Sequence, residues 1–180
     1  MTYRVTVVTP AATAPLTLSD VKTFLRVTHN DDDDALEHMI DAATDMAERY
    51  TGRSFIRKTL CLYDRGSRPD AIRLPAAPVL SVDQVSAYSR TNDTETVIDP
   101  AQYIFSPAFS CVRLKYHPLA DEMRVIFTAG YGNTGDSVPE PLLEGMRLHI
   151  EQLYNRPEKG SDIPTGAKYR YNSYRMPRIF

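Results

Sequence analysis

The spacing of apolar residues changes twice along the chain, and the changes separate helical stretches from extended ones. Residues 1–15 alternate weakly, with Val5 and Val7 in phase, and then pass through Pro10 and Pro15. That pattern predicts an extended arm or an edge strand. In LTLSDVKTFLRV, Thr17 and Asp20 stand in capping-box relation, and Leu16 and Val21 are placed as a hydrophobic staple. The spacing predicts a short helix whose buried stripe is Val21, Phe24 and Leu25. In NDDDDALEHMIDAATDMAERYTGRSF, apolar residues fall at Leu36, Met39, Ile40, Ala43, Met46, Ala47 and Tyr50. This is an unbroken helical period, and Gly52 supplies its stop.

From Ser54 to Tyr131 the period becomes two. TLCLYD, AIRL, VLSVDQVSAY, YIF, CVRLKY and MRVIFTAGY read as strands. DRGSRPD, SRTNDTET and HPLAD read as the turns between them, and such short connections make the sheet mostly antiparallel. Pro75 and Pro78 mark a kink or an edge. Pro141 then opens a helix, LLEGMRLHIEQLYN, with Leu142, Met146, Ile150, Leu153 and Tyr154 on one face. Gly145 costs that helix up to about 1 kcal/mol relative to alanine, which predicts a close backbone neighbour at that point. Residues 156–180 show no core-forming period and read as an irregular extension. The fold class is therefore α+β: two N-terminal helices and one C-terminal helix packed with a mostly antiparallel sheet, followed by an extended C-terminal tail. In domain terms, residues 1–160 form one α+β domain and residues 161–180 the tail.

Composition adjusts this picture in one respect. The 180 residues, 42% hydrophobic and 24% charged, are those of an ordinary globular chain with a formal net charge of −2. Four of the 21 cations and none of the 23 acids lie from Ile163 onward, so the rest of the chain carries a formal −6. A basic, aromatic tail, KYRYNSYRMPRIF, follows an acidic body. Cys61 and Cys111 lie within apolar runs and are expected to be buried reduced thiols. The opening MTYRVTVVTP lacks the apolar core of a signal peptide. No apolar run approaches the roughly 18 residues that span a bilayer. A soluble protein made in a reducing cytosol is expected.

Candidate chemistry is sparse. Asp31 to Asp34 suggest a cation site, but an EF-hand loop needs glycine at its sixth position, which here is Leu36. The acids are better read as a helix start, with Asn30 or Asp31 as the N-cap facing the positive end of the helix dipole. Gly130, Gly132 and Gly135 have the spacing of a dinucleotide-binding loop, yet Val138, Pro139 and Pro141 separate them from the next helix. His29, His38, His117 and His149 match no metal spacing, and neither cysteine has a recognisable activating partner. No catalytic residue, metal site or cofactor is expected. A hydrolase remains conceivable only because acids and histidines are present.

The run LTLSDVKTFLRVTHNDDDDALEHMIDAATDMAERYTGRSFI, the strand entry LPAAPV and the segment VIFTAGYGNTGDSVPEPLLEGMRLHIEQLYNRPE together resemble the tailed-phage head–tail connector (adaptor) family, which includes adaptors of gene transfer agents. The resemblance spans roughly residues 15 to 160, and its specificity lies in the combination. It implies a structural protein of the virion, at the capsid–tail junction, made in the bacterial host cytoplasm. It implies a ring, usually of twelve copies, beneath the portal. The ring extends the DNA channel and holds a stopper or tail terminator protein. Packaged double-stranded DNA passes through it without sequence-specific binding, and no membrane is involved.

By position, the resemblance makes the tail a portal-binding segment: Lys168, Tyr169, Arg170, Tyr171, Tyr174, Arg175, Met176, Arg178, Ile179 and Phe180. Arginine and aromatic residues are favoured as interface anchors. The alternatives for the tail are packing on its own body or on a neighbouring copy, a solvated end, and, as a different function, a nucleic-acid-binding module that uses the same basic, aromatic tail. A ring of identical subunits needs head-to-tail interfaces. The arm from Tyr3 to Val8 or the hairpin around Arg90 to Thr96 is the segment expected to cover a neighbour's strand edge.

Overall fold

The computed structural model describes residues 2–65, 71–116, 118, 120–155 and 162–176. The chain divides into two compact units, one of residues 1–11 and 57–130, the other of residues 12–56 and 131–180.

The first unit is all β. Strands β1 (Thr2–Thr9), β2 (Lys58–Arg65), β4 (Val79–Ser89), β5 (Thr94–Val97) and β8 (Glu122–Ala129) form one sheet in the order β1-β2-β8-β4-β5. Every neighbouring pair is antiparallel. A second sheet has the order β3-β7-β6, from Ile72–Arg73, Cys111–Leu114 and Tyr103–Ser106. Leu60, Leu62, Val85, Val125 and Phe127, which the alternation places on one face, lie in a common core with Ile72, Leu74 and Val112. Burial does not alternate strictly, because Cys61, Ser86, Glu122 and Thr128 of the other face are buried as well. The N-terminal arm is the edge strand β1. SRTNDTET is more than a turn, because its last three residues, Thr94 to Thr96, begin β5, the opposite edge. Cys61 is buried and Cys111 half-buried, and both are free thiols.

The other face of the larger sheet is held by charge. Glu122, only 3% exposed, accepts hydrogen bonds from Arg65 Nε at 2.6 Å and Arg124 Nε at 2.8 Å. Arg124 also donates to Glu95 at 2.6 Å and lies 4.4 Å over the Tyr88 ring and 5.6 Å over that of Tyr63. The network links β2, β8, β4 and β5.

The second unit is helical: α1 (Leu18–Leu25), α2 (Asp33–Thr51), α3 (Glu140–Asn155) and α4 (Thr165–Asn172). Thr17 and Asp20 form the expected capping box, each side chain accepting from the other's amide at 3.1 Å. Those hydrogen bonds, the Thr17 hydroxyl's first, hold the Asp20 carboxyl below its ordinary range. Leu16 and Val21 are buried, but Phe24 is exposed. The helix is only eight residues long, and Arg26 ends it in the left-handed region, so it offers the core a single position. The N-cap of α2 is Asp32 rather than Asn30 or Asp31. Lys22 draws Asn30 and Asp33 together by donating to both, at 2.7 and 2.6 Å, and Tyr154 donates to Asp32 at 2.8 Å. Asp33 and Asp32 are thus paired with residues of α1 and α3, respectively. Among the described residues, no group of three or more His, Cys, Asp or Glu is placed to hold a metal ion. Gly52 terminates α2 at φ +71°, as its position predicts.

The glycine-rich loop before α3 serves close packing. A Cβ at Gly132 would overlap the Ser137 side chain, and one at Gly135 would overlap the Pro15 carbonyl oxygen. The Pro15 backbone has no flexible end to move aside. Gly135→Ala is therefore expected to lower the unfolding free energy by about 1–3 kcal/mol, the usual cost of overpacking. Urea denaturation measures this, and an unchanged midpoint would refute the close approach.

Candidate docking surfaces in the tail and at the sheet edges

The extension read from the sequence as irregular contains a helix, and that helix is anchored. In α4, Ala167 and Tyr171 lie four residues apart and are both fully buried, and Ile163 just before the helix is buried too. The Tyr171 ring rests on α3 at Gly145, where a Cβ would run into its Cε1, Cδ1 and Cζ atoms. The close neighbour of Gly145 is therefore a side chain of the tail, not a backbone. Burial pushes the Tyr171 phenol well above its ordinary pKa. Its ring also meets Tyr50 of α2, with centroids 6.1 Å apart.

Polar contacts fix the rest of the segment. Arg170 donates to Glu144 of α3 at 2.6 Å, and Gln152 donates to the Asp162 carbonyl at 2.7 Å. On α2, the Tyr50 hydroxyl donates to Asn172 at 2.8 Å, and the Arg175 guanidinium lies 5.0 Å from the centre of the Tyr50 ring. Arg53 donates to the Tyr174 carbonyl, and the Met176 amide donates to the Thr51 carbonyl at 2.8 Å. The Met176 side chain covers Gly52.

The expected portal-binding residues therefore divide by position. Tyr171 is enclosed; Arg170, Tyr174 and Met176 are half-buried; Lys168, Tyr169 and Arg175 are exposed, Tyr169 to 76%. Arg178, Ile179 and Phe180 lie outside the described residues. Period-based reading missed the helix because only two of its eight residues are buried. The available signal was Gly145, a helix-weakening residue on a helix face otherwise filled by large side chains.

The sheet edges form a second candidate surface. No strand pairs with the outer side of β1 or of β5 among the described residues. Edge strands are usually blunted by charge or proline. Here β1 exposes Tyr3, Val7 and Val8 beside the charge of Arg4, and β5 exposes Val97 beside that of Glu95.

Residues 15–113, more than half of the chain, match the family described as phage gp6-like head-tail connector protein. The chain belongs to that family. Its role is accordingly a structural one, that of a connector between head and tail, and not that of an enzyme. No curated protein matches the sequence. Solved structures share the fold nearly end to end. A chain from the neck of an empty GTA particle computed with C6 symmetry matches the connector at a TM-score of 0.82 and 22% identity, over 98% of this chain and 97% of that one. One from the virion of a native gene transfer agent (GTA) particle matches at 0.79 and 23%, over 98% and 97%. A third, from the neck of a native GTA particle computed with C12 symmetry, matches at 0.78 and 21%, over 100% and 98%. The α+β class read from the sequence is the fold these chains share. Among the connector's described residues, no helix is long and apolar enough to cross a membrane.

Proposed function

We propose that the connector forms a ring, of twelve copies, beneath the portal of a phage or phage-like particle. The ring continues the DNA channel and carries the stopper or tail terminator protein on its other side. The observation that carries this reading is family membership joined to an end-to-end fold match with neck chains, one of them in a particle computed with C12 symmetry. The acidic body suits a channel through which DNA slides, because each phosphate neutralised by Lys or Arg adds salt-sensitive affinity.

In this reading the tail is the portal-facing segment, and its residues have separate tasks. Tyr171 fixes α4 to the body and touches no partner. Lys168, Tyr169 and Arg175 face outward, and Arg178, Ile179 and Phe180 extend the same segment. Nucleic-acid binding by the tail is the weaker reading. Arg170 is already paired with Glu144.

Deleting all of residues 168–180 would remove Tyr171 and open the helical core, so the test uses smaller changes. Lys168→Glu with Tyr169→Ala, both at exposed positions, is expected to leave the melting temperature unchanged, and deletion of residues 177–180 is the second variant. Attachment to portal-bearing heads should fall at least tenfold. Normal attachment of both variants would refute the docking role of the tail. Negative-stain images of wild-type protein on such heads should show twelve-fold rings.

A further inference from the structure

The two open edges of the larger sheet run in the same direction. Each of the four steps from β1 to β5 is antiparallel, so four reversals bring β5 back to the sense of β1. The edges differ in sequence, TYRVTVVT against TETV, and lie at opposite ends of the sheet. A closed head-to-tail ring needs two different surfaces on each copy. The small rotation that relates neighbours in a ring of many copies keeps strand sense, so β5 of one copy would meet β1 of the next in parallel. A two-fold dimer through β1 alone would instead be antiparallel and would use the same edge twice.

The side chains agree with that meeting. Cross-strand partners share a face, and the pairing places Arg4, Tyr63, Arg124, Ser86 and Val97 in one row across the sheet. The adjacent row is Thr2, Arg65, Glu122, Tyr88 and Glu95. Arg4 of β1 and Glu95 of β5 therefore lie on the same face. A shift of two residues between copies sets Glu95 beside Arg4 and Val97 beside Thr6. Opposite charges meet, and the Val97 side chain, 61% exposed, is covered.

We infer that β5 of one connector copy pairs in parallel with β1 of the next, with Val97 beside Thr6, so that the larger sheet continues around the ring. The inference rests on the ring reading above, and the test separates the two. In a Cys111→Ser background, Thr6→Cys with Val97→Cys on one chain is treated with a short bis-maleimide after ring assembly on portal-bearing heads. A ladder of covalent multimers is expected. A mixture of the two single variants should stop at dimers. Val97→Lys, at an exposed position, should leave the monomer folded and lower ring occupancy on heads at least tenfold. Rings visible by negative stain without the ladder would overturn the pairing and leave the ring reading intact. Normal occupancy by Val97→Lys would do the same. If wild-type protein forms no ring on heads, the ring reading fails, and the pairing fails with it.

Discussion

Tyr171→Ala is expected to lower the unfolding free energy by about 3–5 kcal/mol, the range for truncating a buried aromatic side chain. The ring is fully enclosed between Gly145 of α3 and Tyr50 of α2, so its loss leaves a cavity that the two helices cannot close without moving. The same substitution should detach α4, because Ala167 alone is too small to hold it. Proteolysis within residues 162–176 should then become fast while the other helices resist. Gly145→Ala tests the contact from the opposite side. On an isolated helix it would stabilise by up to about 1 kcal/mol. Here the added methyl overlaps the Tyr171 ring, and a net loss of about 1–3 kcal/mol is expected. Once Tyr171 is alanine the overlap is gone, so Gly145→Ala should become neutral or stabilising. That reversal of sign is a coupling between touching residues. Additive effects in urea denaturation would show that the two residues do not share a site.

For the docking role, the anchor has a definite consequence. A tail held by Tyr171 presents Lys168 and Tyr169 in a fixed orientation, and a segment ordered before binding loses less entropy at the interface. Tyr171→Ala should therefore weaken attachment to heads even though its own side chain never reaches the portal. The Tyr169→Ala change, by contrast, should weaken attachment without altering proteolysis.

Strong local patterns made most elements legible. The α2 stripe from Leu36 to Ala47, the Thr17–Asp20 capping box and the two-residue alternation of β2, β4 and β8 each follow from a periodicity or a local hydrogen bond. What escaped depended on contacts distant in sequence. Phe24 reads as core by spacing, but in the fold it is 40% exposed, and Val21 alone of that stripe is fully buried. The N-cap of α2 is Asp32, which accepts a hydrogen bond from Tyr154 of α3, while Lys22 of α1 binds Asn30 and Asp33 on either side of it. Helix α4 shows almost no amphipathic pattern, and only the Gly145 cradle explains why it forms where it does. The division into an all-β unit and a helical unit was also hidden. The helical unit takes residues from both halves of the chain, and the β unit adds the first eleven residues to the central segment.

The polar face of the larger sheet carries the other large expected effect. Glu122→Ala removes the carboxylate that two arginines share and leaves Arg124 half-buried without its main partner. Breaking a buried ion pair from one side costs roughly 3–5 kcal/mol, and the lower end applies because Arg65 stays in contact with water. Burial alone would push the Glu122 carboxyl up, but the hydrogen bonds from Arg65 and then Arg124 outweigh it and hold the group below its ordinary value of 4.5. A depressed carboxyl stabilises the fold above its unfolded value, and that stability disappears as pH falls through the folded value. Glu122→Gln should therefore destabilise at pH 7 and converge with wild type under acid. A difference that is the same at pH 3 and pH 7 would show that the charge contributes nothing. The network also reaches Glu95 on β5, so the same variants should loosen the edge strand that the inferred β5–β1 pairing would use. Loss of ring occupancy is expected to accompany the loss of stability at pH 7, whereas Val97→Lys should lower occupancy with stability intact.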